Sequence, residues 1–362
     1  MPDPIIVSHV LGKYPVYVES GILQRMEDVI RGHLAHRRVA LIADESVLEL
    51  YQIGRFGRSS WTGETLTVAP GEGSKSRESW ARLTDELLTR RFGRDSGLVG
   101  LGGGVVGDLT GFVAATYMRG LPYLLAPTTL LAMVDASVGG KTGVNTAYGK
   151  NLIGAFHPPV AVLADPLTLL TLPGAEYCSG LAEAVKHGLT ADQEYFEWIE
   201  SHVAAILQRE PAVVTQLVRR SVEIKAEVVS QDERETGRRA ILNAGHTVAH
   251  ALERASGYEL PHGHAVGLGL LVECAIAERL GVAPRDLRPR LHELLVSLGL
   301  PSRVTGATNR DLVLASMTSD KKNRNSAIHF ALPSGVGSMH STNGWTIAVS
   351  PETVRDALTL VE

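Results

Sequence analysis

Two histidines spaced four apart, in Asn243-Ala244-Gly245-His246-Thr247-Val248-Ala249-His250, share one face wherever that segment is helical. His262-Gly263-His264 follows beyond Pro261, so four imidazoles lie between His246 and His264. Upstream, Gly180-Leu181-Ala182-Glu183-Ala184-Val185-Lys186 sets a carboxylate and a lysine three apart. A glutamate with two histidines is the donor set of an open catalytic zinc site, where three protein ligands leave a position for substrate. The H-E-x-x-H spacing of metalloproteases is absent. Arg239 and Asn243 stand just before His246, and Lys225 precedes them on an earlier helical run, adding anion-binding groups.

A second kind of chemistry is written in glycine. Gly102, Gly104 and Gly107 satisfy G-x-G-x-x-G in Gly102-Gly103-Gly104-Val105-Val106-Gly107-Asp108, between a strand-like run and a helical one. Backbone N–H groups at such a junction can hold a pyrophosphate. Alone the motif is weak, because it is not on the first strand–helix unit and no acidic strand end follows it. Two other strand ends strengthen it. Asp44 closes one apolar run, and Gly71-Glu72-Gly73-Ser74-Lys75 closes the next, where they could take a ribose or an adenine. The segment 127–159 then mixes Thr128, Thr129, Asp135, Lys141, Asn145, Lys150 and Asn151 with glycines and apolar residues. Lysines in a buried polar pocket need anionic partners, which a phosphate or carboxylate substrate supplies. A nucleotide site, a metal and cations together point to oxidation of an alcohol in an anionic substrate.

Alternating elements must position these groups. Residues 38–43, 65–69, 97–101 and 122–126 read as strands; residues 76–91 and 105–118 read as helices. That alternation predicts an α/β N-terminal domain with a mostly parallel sheet over residues 1–172. Residues 182–189, 195–207, 212–230, 244–255, 266–279, 286–298 and 309–318 read as helices, with one late strand at 327–332. Residues 173–362 are therefore expected to form a mainly α-helical C-terminal domain, with the active site in the cleft between the two. For any one polar residue of 127–159 a solvated loop is the plainer reading, but as a set, interleaved with apolar residues, they suggest a buried polar pocket.

Composition narrows the class. The chain has 362 residues, 44% hydrophobic and 20% charged, which excludes a disordered chain or coiled coil. Its 35 basic and 39 acidic residues give a net charge of -4, so no nucleic-acid partner is expected. Cys178 and Cys274 are too few for a disulfide framework. The most apolar stretch, 121–134, is short and broken by Pro122 and Pro127, so no membrane span and a cytoplasmic location are expected.

Over nearly its whole length the chain resembles the 3-dehydroquinate synthase family. The likeness is carried by Asp44, Pro-Gly-Glu at 70–72, GGGVVGD at 102–108, YMRG at 117–120, PTTLLA at 127–132, VGGKTGVN at 138–145, GKNLIGAFHPP at 149–159 and TLP at 171–173. SGLAEAVKHG at 179–188, IKAEVVSQDERETG at 224–237, LNAGHTVAH at 242–250 and DKK at 320–322 continue it. The resemblance implies a lyase of the shikimate pathway acting on 3-deoxy-D-arabino-heptulosonate 7-phosphate. Bound NAD would oxidise carbon 5, phosphate would leave, NADH would restore the alcohol, and an intramolecular aldol would close the ring. It further implies Glu183, His246 and His262 as ligands of a divalent metal, zinc or cobalt. The implied NAD shell is Asp44, Pro70, Gly71, Glu72, Gly73, Ser74, Lys75, Gly104, Val105, Val106, Gly107, Asp108, Thr128, Thr129, Asp135, Lys150, Thr168, Leu169, Leu170 and Thr171. Lys141 would reach both cofactor and substrate. Asn151, Lys186, Lys225, Arg239, Asn243, His250 and one of Lys321 or Lys322 form the implied substrate shell. Arg119 would reach a neighbouring subunit's site, which implies a homodimer. Two departures stand out. His264 occupies a position that is Glu in many relatives and is expected to stay off the metal. Ala244 replaces a common aromatic. Other sugar-phosphate cyclases, a polyol dehydrogenase and a catalytically inactive nucleotide-binding protein are the competing readings.

Overall fold

The computed structural model describes residues 3–10, 12–52, 61, 63–304, 310–318, 327–342 and 344–361. The backbone divides into two compact units. The first comprises Met1–Leu172 with Val214–Ser230, and the second Pro173–Val213 with Gln231–Glu362. Lys321 and Lys322 lie outside the described residues.

The first unit is organised by strands whose apolar runs are buried on both faces. β1 (Ile5–His9), β2 (Gly12–Val18), β3 (Arg38–Asp44), β4 (Glu64–Val68), β5 (Ser96–Gly102), β6 (Tyr123–Pro127) and β9 (Ala161–Ala164) form one sheet in the order β1-β2-β9-β6-β5-β3-β4. β1 pairs antiparallel with β2, and every other pairing is parallel. Leu41, Val99 and Leu124 lie in register across three strands and pack with Leu163 against Met26 and Ile30 of α1 (Met26–His33). The crossover helices are α2 (Glu45–Gln52), α3 (Arg77–Thr89) and α4 (Gly104–Thr116). Ser76 caps α3 by accepting the Ser79 N–H at 3.2 Å.

The stretch 127–159, for which no strand or helix is expected from the sequence, contains ordered elements. A π-helical turn spans Ala132–Ala136, and β7 (Lys141–Thr146) pairs antiparallel with β8 (Gly149–Phe156) as a separate hairpin. Gly143, Gly149 and Gly154 hide the hairpin, since glycine depresses strand propensity.

The second unit is mostly helical: α5 (Gly174–Ala191), α6 (Gln193–Leu207), the start of α7 (Pro211–Gln231), α8 (His246–Ala255), α9 (His262–Arg279), α10 (Leu287–Ser297), α11 (Arg310–Thr318) and α12 (Pro351–Leu358). α5 and α9 are buried along most of their length, so they form the unit's centre. Two short antiparallel pairs, β10 (Ile328–Phe330) with β13 (Ile347–Val349) and, between them in the chain, the hairpin of β11 (Pro333–Gly335) with β12 (Ser338–Met339), complete it. Several helix starts differ from expectation: α5 begins at Gly174, not 182, and α6 at Gln193, not 195. The helix expected from 244 begins at His246, and the one expected from 266 begins at His262, so His262 and His264 belong to a first helical turn. Among the described residues, no helix is long and apolar enough to cross a membrane.

Candidate active site

Helix packing in the second unit brings the metal-type residues together. Gly263 presses against α5 so closely that a β-carbon there would stand 1.9 Å from the Ser179 carbonyl oxygen. Its N–H donates to Ser179 Oγ at 2.8 Å. Ser179 lies one turn before Glu183, so this contact delivers His262 to the Glu183 carboxylate. His262 Nε2 and His246 Nε2 each stand 3.4 Å from Glu183 Oε1. The three donor atoms lie within 4.8 Å of one another, as one ion would require. Two imidazole nitrogens and a carboxylate oxygen fit a zinc-type ion with an open position.

The remaining ring nitrogens are turned outward onto orienting groups. His246 Nδ1–H donates to the Ala244 carbonyl at 3.1 Å, in the tautomer that turns the Nε2 lone pair toward Glu183. His262 Nδ1 faces Glu253 Oε1 at 3.6 Å. Burial, helped by Lys186, pushes His246 down to about 3. Burial also works against charge on His262, but Glu183 and Glu253 override it and lift the ring to about 9. The two carboxylates thus draw positive charge to this spot, the demand a divalent cation would meet. Lys186, one turn beyond Glu183 and equally buried, pairs with Glu183 Oε2. His250 stands exposed beside the cluster, its ring edge-on to His246 at 5.5 Å. His264 is half-buried.

A polar loop before α8 holds the other cations of this unit. Asp232 accepts the N–H groups of Thr236 (3.0 Å), Gly237 (2.7 Å) and Arg239 (3.0 Å). The Arg239 guanidinium, itself buried, donates to the Glu233 carbonyl, and Asn243 donates to Glu235.

In the first unit, the nucleotide-type residues share one edge of the sheet. Parallel pairing sets the carboxyl ends of β3, β4, β5, β6 and β9 side by side, and these ends lead into Asp44, residues 70–75, the glycine loop, Thr128 with Thr129, and residues 168–171. From β3 the chain moves outward to β4 and then returns to β5 on the other side, so the switch point lies between β3 and β5. There a β-carbon on Gly102 would meet Val106 Cγ2 at 2.7 Å and Asp44 Cβ at 3.3 Å. The position of the glycine motif on β5 is therefore explained by topology. Gly103 gives α4 no side-chain cap, so the donors of its first turn face outward for an anion. The buried Thr128 hydroxyl has no hydrogen-bond partner among the described residues. Both features fit a dinucleotide.

The structure also shows how these strand ends are braced. Asp44 Oδ1 caps α2 through the N–H of Ser46 (3.0 Å) and of Val47 (3.3 Å). Lys75 pairs with Asp108, whose carboxyl burial raises despite the lysine. Lys225 donates to Asp135 Oδ1 at 2.6 Å. Thr168 Oγ1 donates to the Asp165 carbonyl at 2.9 Å. Asn145 joins the hairpin to the 72–75 loop: its Nδ2 donates to Glu72 Oε1 (2.7 Å), its N–H donates to the Lys75 carbonyl (2.8 Å), and its Oδ1 accepts the Asn151 N–H (3.1 Å). Asn151 takes a left-handed φ of 55° and lies exposed, as does Lys141 at the head of β7; Lys150 is half-buried. Arg119 is exposed at a φ of 68°, directly after left-handed Met118.

Glu253, Glu235, Asp232 and Asn145 are absent from the sequence-derived shells. Glu253 follows His250 by three residues on α8, a helical spacing that could have exposed it.

Comparison with known proteins agrees with both units. A 3-dehydroquinate synthase N-terminal family model matches residues 65–179, and its C-terminal counterpart matches residues 180–323. A 3-dehydroquinate synthase of Symbiobacterium thermophilum is 43% identical over 350 residues, covering 95% of this chain and 96% of that one. A 2-epi-5-epi-valiolone synthase from Streptomyces hygroscopicus, solved with NAD+ and Zn2+ bound, is 28% identical with a TM-score of 0.82, covering 96% of each chain. A 2-deoxy-scyllo-inosose synthase, complexed with carbaglucose-6-phosphate, NAD+ and Co2+, shares the fold at a TM-score of 0.88 and 23% identity, covering 98% of this chain and 99% of that one. By the two matching family models and the relatedness along almost its entire length, the chain belongs to the 3-dehydroquinate synthase family.

Proposed function

We propose that the chain is a carbon–oxygen lyase converting 3-deoxy-D-arabino-heptulosonate 7-phosphate to 3-dehydroquinate and phosphate. The convergence of His246 and His262 on buried Glu183, with Lys186 one turn away, carries this reading. Bound NAD would supply a reversible hydride acceptor, and a divalent ion, zinc or cobalt, would supply a Lewis acid for the carbon-5 oxygen.

Glu183, His246 and His262 hold the ion, with Ala244 O and Glu253 fixing the two rings. Asp44, residues 70–75 and 104–108, Thr128, Thr129, Asp135, Lys150 and residues 168–171 bind NAD. Asp44 Oδ2, which takes no part in capping α2, is the oxygen available to ribose hydroxyls. Lys141 serves both ligands. Asn151, Lys186, Lys225, Arg239, Asn243 and His250, with one of Lys321 and Lys322, are the groups proposed for the phosphate, carboxylate and hydroxyls of the substrate. Cations that hold the phosphate favour its departure, and the departing phosphate can itself take the neighbouring proton, so no separate protein base is assigned. The exposed left-handed turn at Arg119 suits a residue that serves a second subunit, and a cytoplasmic homodimer is the proposed assembly.

The test follows inorganic phosphate and nicotinamide absorbance together, in zinc-loaded protein given NAD and substrate. Phosphate release without net NADH, abolished by a chelator, is expected. Steady NADH accumulation without phosphate overturns the proposal and indicates a dehydrogenase. Turnover of sedoheptulose 7-phosphate in its place indicates one of the related cyclases.

A further inference from the structure

Glu273 lies in the middle of α9 with no exposed surface. A carboxyl at such a place is costly unless something holds it. Its Oε2 accepts the Gly245 N–H at 2.6 Å, and its Oε1 has no hydrogen-bond partner among the described residues. Burial drives this carboxyl well above the usual carboxylate range, against the pull of the Gly245 N–H. Neither the proposed NAD shell nor the proposed substrate shell uses it.

The place it grips is informative. Gly245 sits in a left-handed conformation, φ 80°, immediately before α8, and it supplies no side-chain cap. The next residue is His246. Gly269, one turn before Glu273, lies so near that a β-carbon there would be 2.0 Å from the Gly245 carbonyl oxygen. α9 therefore holds the Gly245 peptide from both sides, with Glu273 on the N–H and bare backbone at the carbonyl. The same helix carries His262 in its first turn, about three turns before Glu273 on the same face. One buried helix thus presents one metal-type histidine directly and fixes the approach of the other.

We propose that Glu273 is a positioning residue for the metal centre, acting through Gly245 to aim His246 at Glu183. The proposal rests on reading Glu183, His246 and His262 as metal ligands. Its content is the acceptor oxygen at the Gly245 N–H: a side chain that keeps the acceptor keeps the centre, and one that loses it loosens His246.

The experiment measures zinc affinity by competition with a chromophoric chelator, and the visible absorption spectrum of the cobalt-loaded protein. Wild type, Glu273→Gln, Glu273→Asp and Glu273→Leu are compared, with circular dichroism as the check on folding. The glutamine variant keeps an acceptor of the same reach and should stay within about threefold of wild-type affinity, with an unchanged cobalt spectrum. The leucine variant should bind about 10–100-fold more weakly, with an altered spectrum, as expected when an orienting partner is lost. The aspartate variant keeps the carboxyl but withdraws it, and should fall between them. An aspartate variant that matches glutamine in affinity and spectrum overturns the proposal whether or not the leucine variant folds. A glutamine variant as impaired as leucine also overturns it. If wild type binds neither zinc nor cobalt, the metal reading itself fails; if wild type binds and the variants bind equally, only the role of Glu273 fails.

Discussion

In the second unit, Glu183, His246 and His262 meet as side chains, Glu183 and His262 carried by the buried helices α5 and α9 and His246 opening α8. In the first unit, the ligand-type groups are mainly backbone: the open first turn of α4, a glycine loop and the ends of parallel strands. The side-chain site depends on charge and donor chemistry, so removing one group should cost much and conservative exchange should rescue little. The backbone site depends on clearance, so it should fail when atoms are added. Damage to either should leave the other's ligand binding largely intact.

Glu183→Ala tests the first half most severely. It removes a proposed ligand and one partner of a buried ion pair. Zinc affinity should fall by more than about 100-fold, because even orienting contacts carry about 10–100-fold. Stability in a denaturant titration should fall by about 3–5 kcal/mol. NAD affinity, read by calorimetry, should hold; an equal loss there would break the contrast. Gly102→Ala is the converse. Its β-carbon meets Val106 at 2.7 Å, so about 1–3 kcal/mol of overpacking is expected, with weakened NAD binding and unchanged zinc content. Wild-type NAD affinity in this variant would show that clearance at the loop is not what matters.

Asn145→Ala should act more mildly, since its hydrogen bonds are largely exposed and contribute about 0.5–1.5 kcal/mol each at most. NAD affinity should drop by less than about tenfold. Asp232→Asn should have the smallest effect and a distinctive pH dependence. Partial burial pushes the Asp232 carboxyl up, but N–H donors from Thr236, Gly237 and Arg239 outweigh it and hold the group below the usual carboxylate range. A depressed folded value means the stabilisation is present above the unfolded value, near 3.8, and lost as pH falls through the folded one. Thermal midpoints of variant and wild type should therefore differ at about pH 6, and the difference should shrink progressively as pH falls below 3.8. A difference that persists in acid would assign Asp232 another role.

The same contrast explains what could be read in the sequence. Strands β3, β4 and β5 were legible because apolar runs stop abruptly at Asp44, Pro70 and Gly102. His246 and His262 stood out because histidine, glutamate and lysine are uncommon in apolar helices. The hairpin of β7 and β8 was not legible, since Gly143 and Gly154 sit where strand-favouring residues would mark it. The start of α9 was misread because Pro261 suggests a turn, although proline also commonly opens a helix. Glu273 was missed for another reason. A single glutamate in a helix normally faces water, and nothing local distinguishes one that faces a buried peptide N–H.

Part of α7, Val214–Ser230, returns to the first unit after the chain has already built Pro173–Val213 of the second. This stretch carries buried Leu217, Val218 and Val222, together with the Lys225–Asp135 pair. A gene fragment ending at Leu172 would omit all of these, so no continuous piece holds the whole first unit without Pro173–Val213 of the second. Chimeras between relatives inherit the same restriction: clean exchange of the units needs crossovers after residues 172, 213 and 230. A single crossover between residues 135 and 225 would draw Asp135 and the Lys225 that pairs with it from different parents.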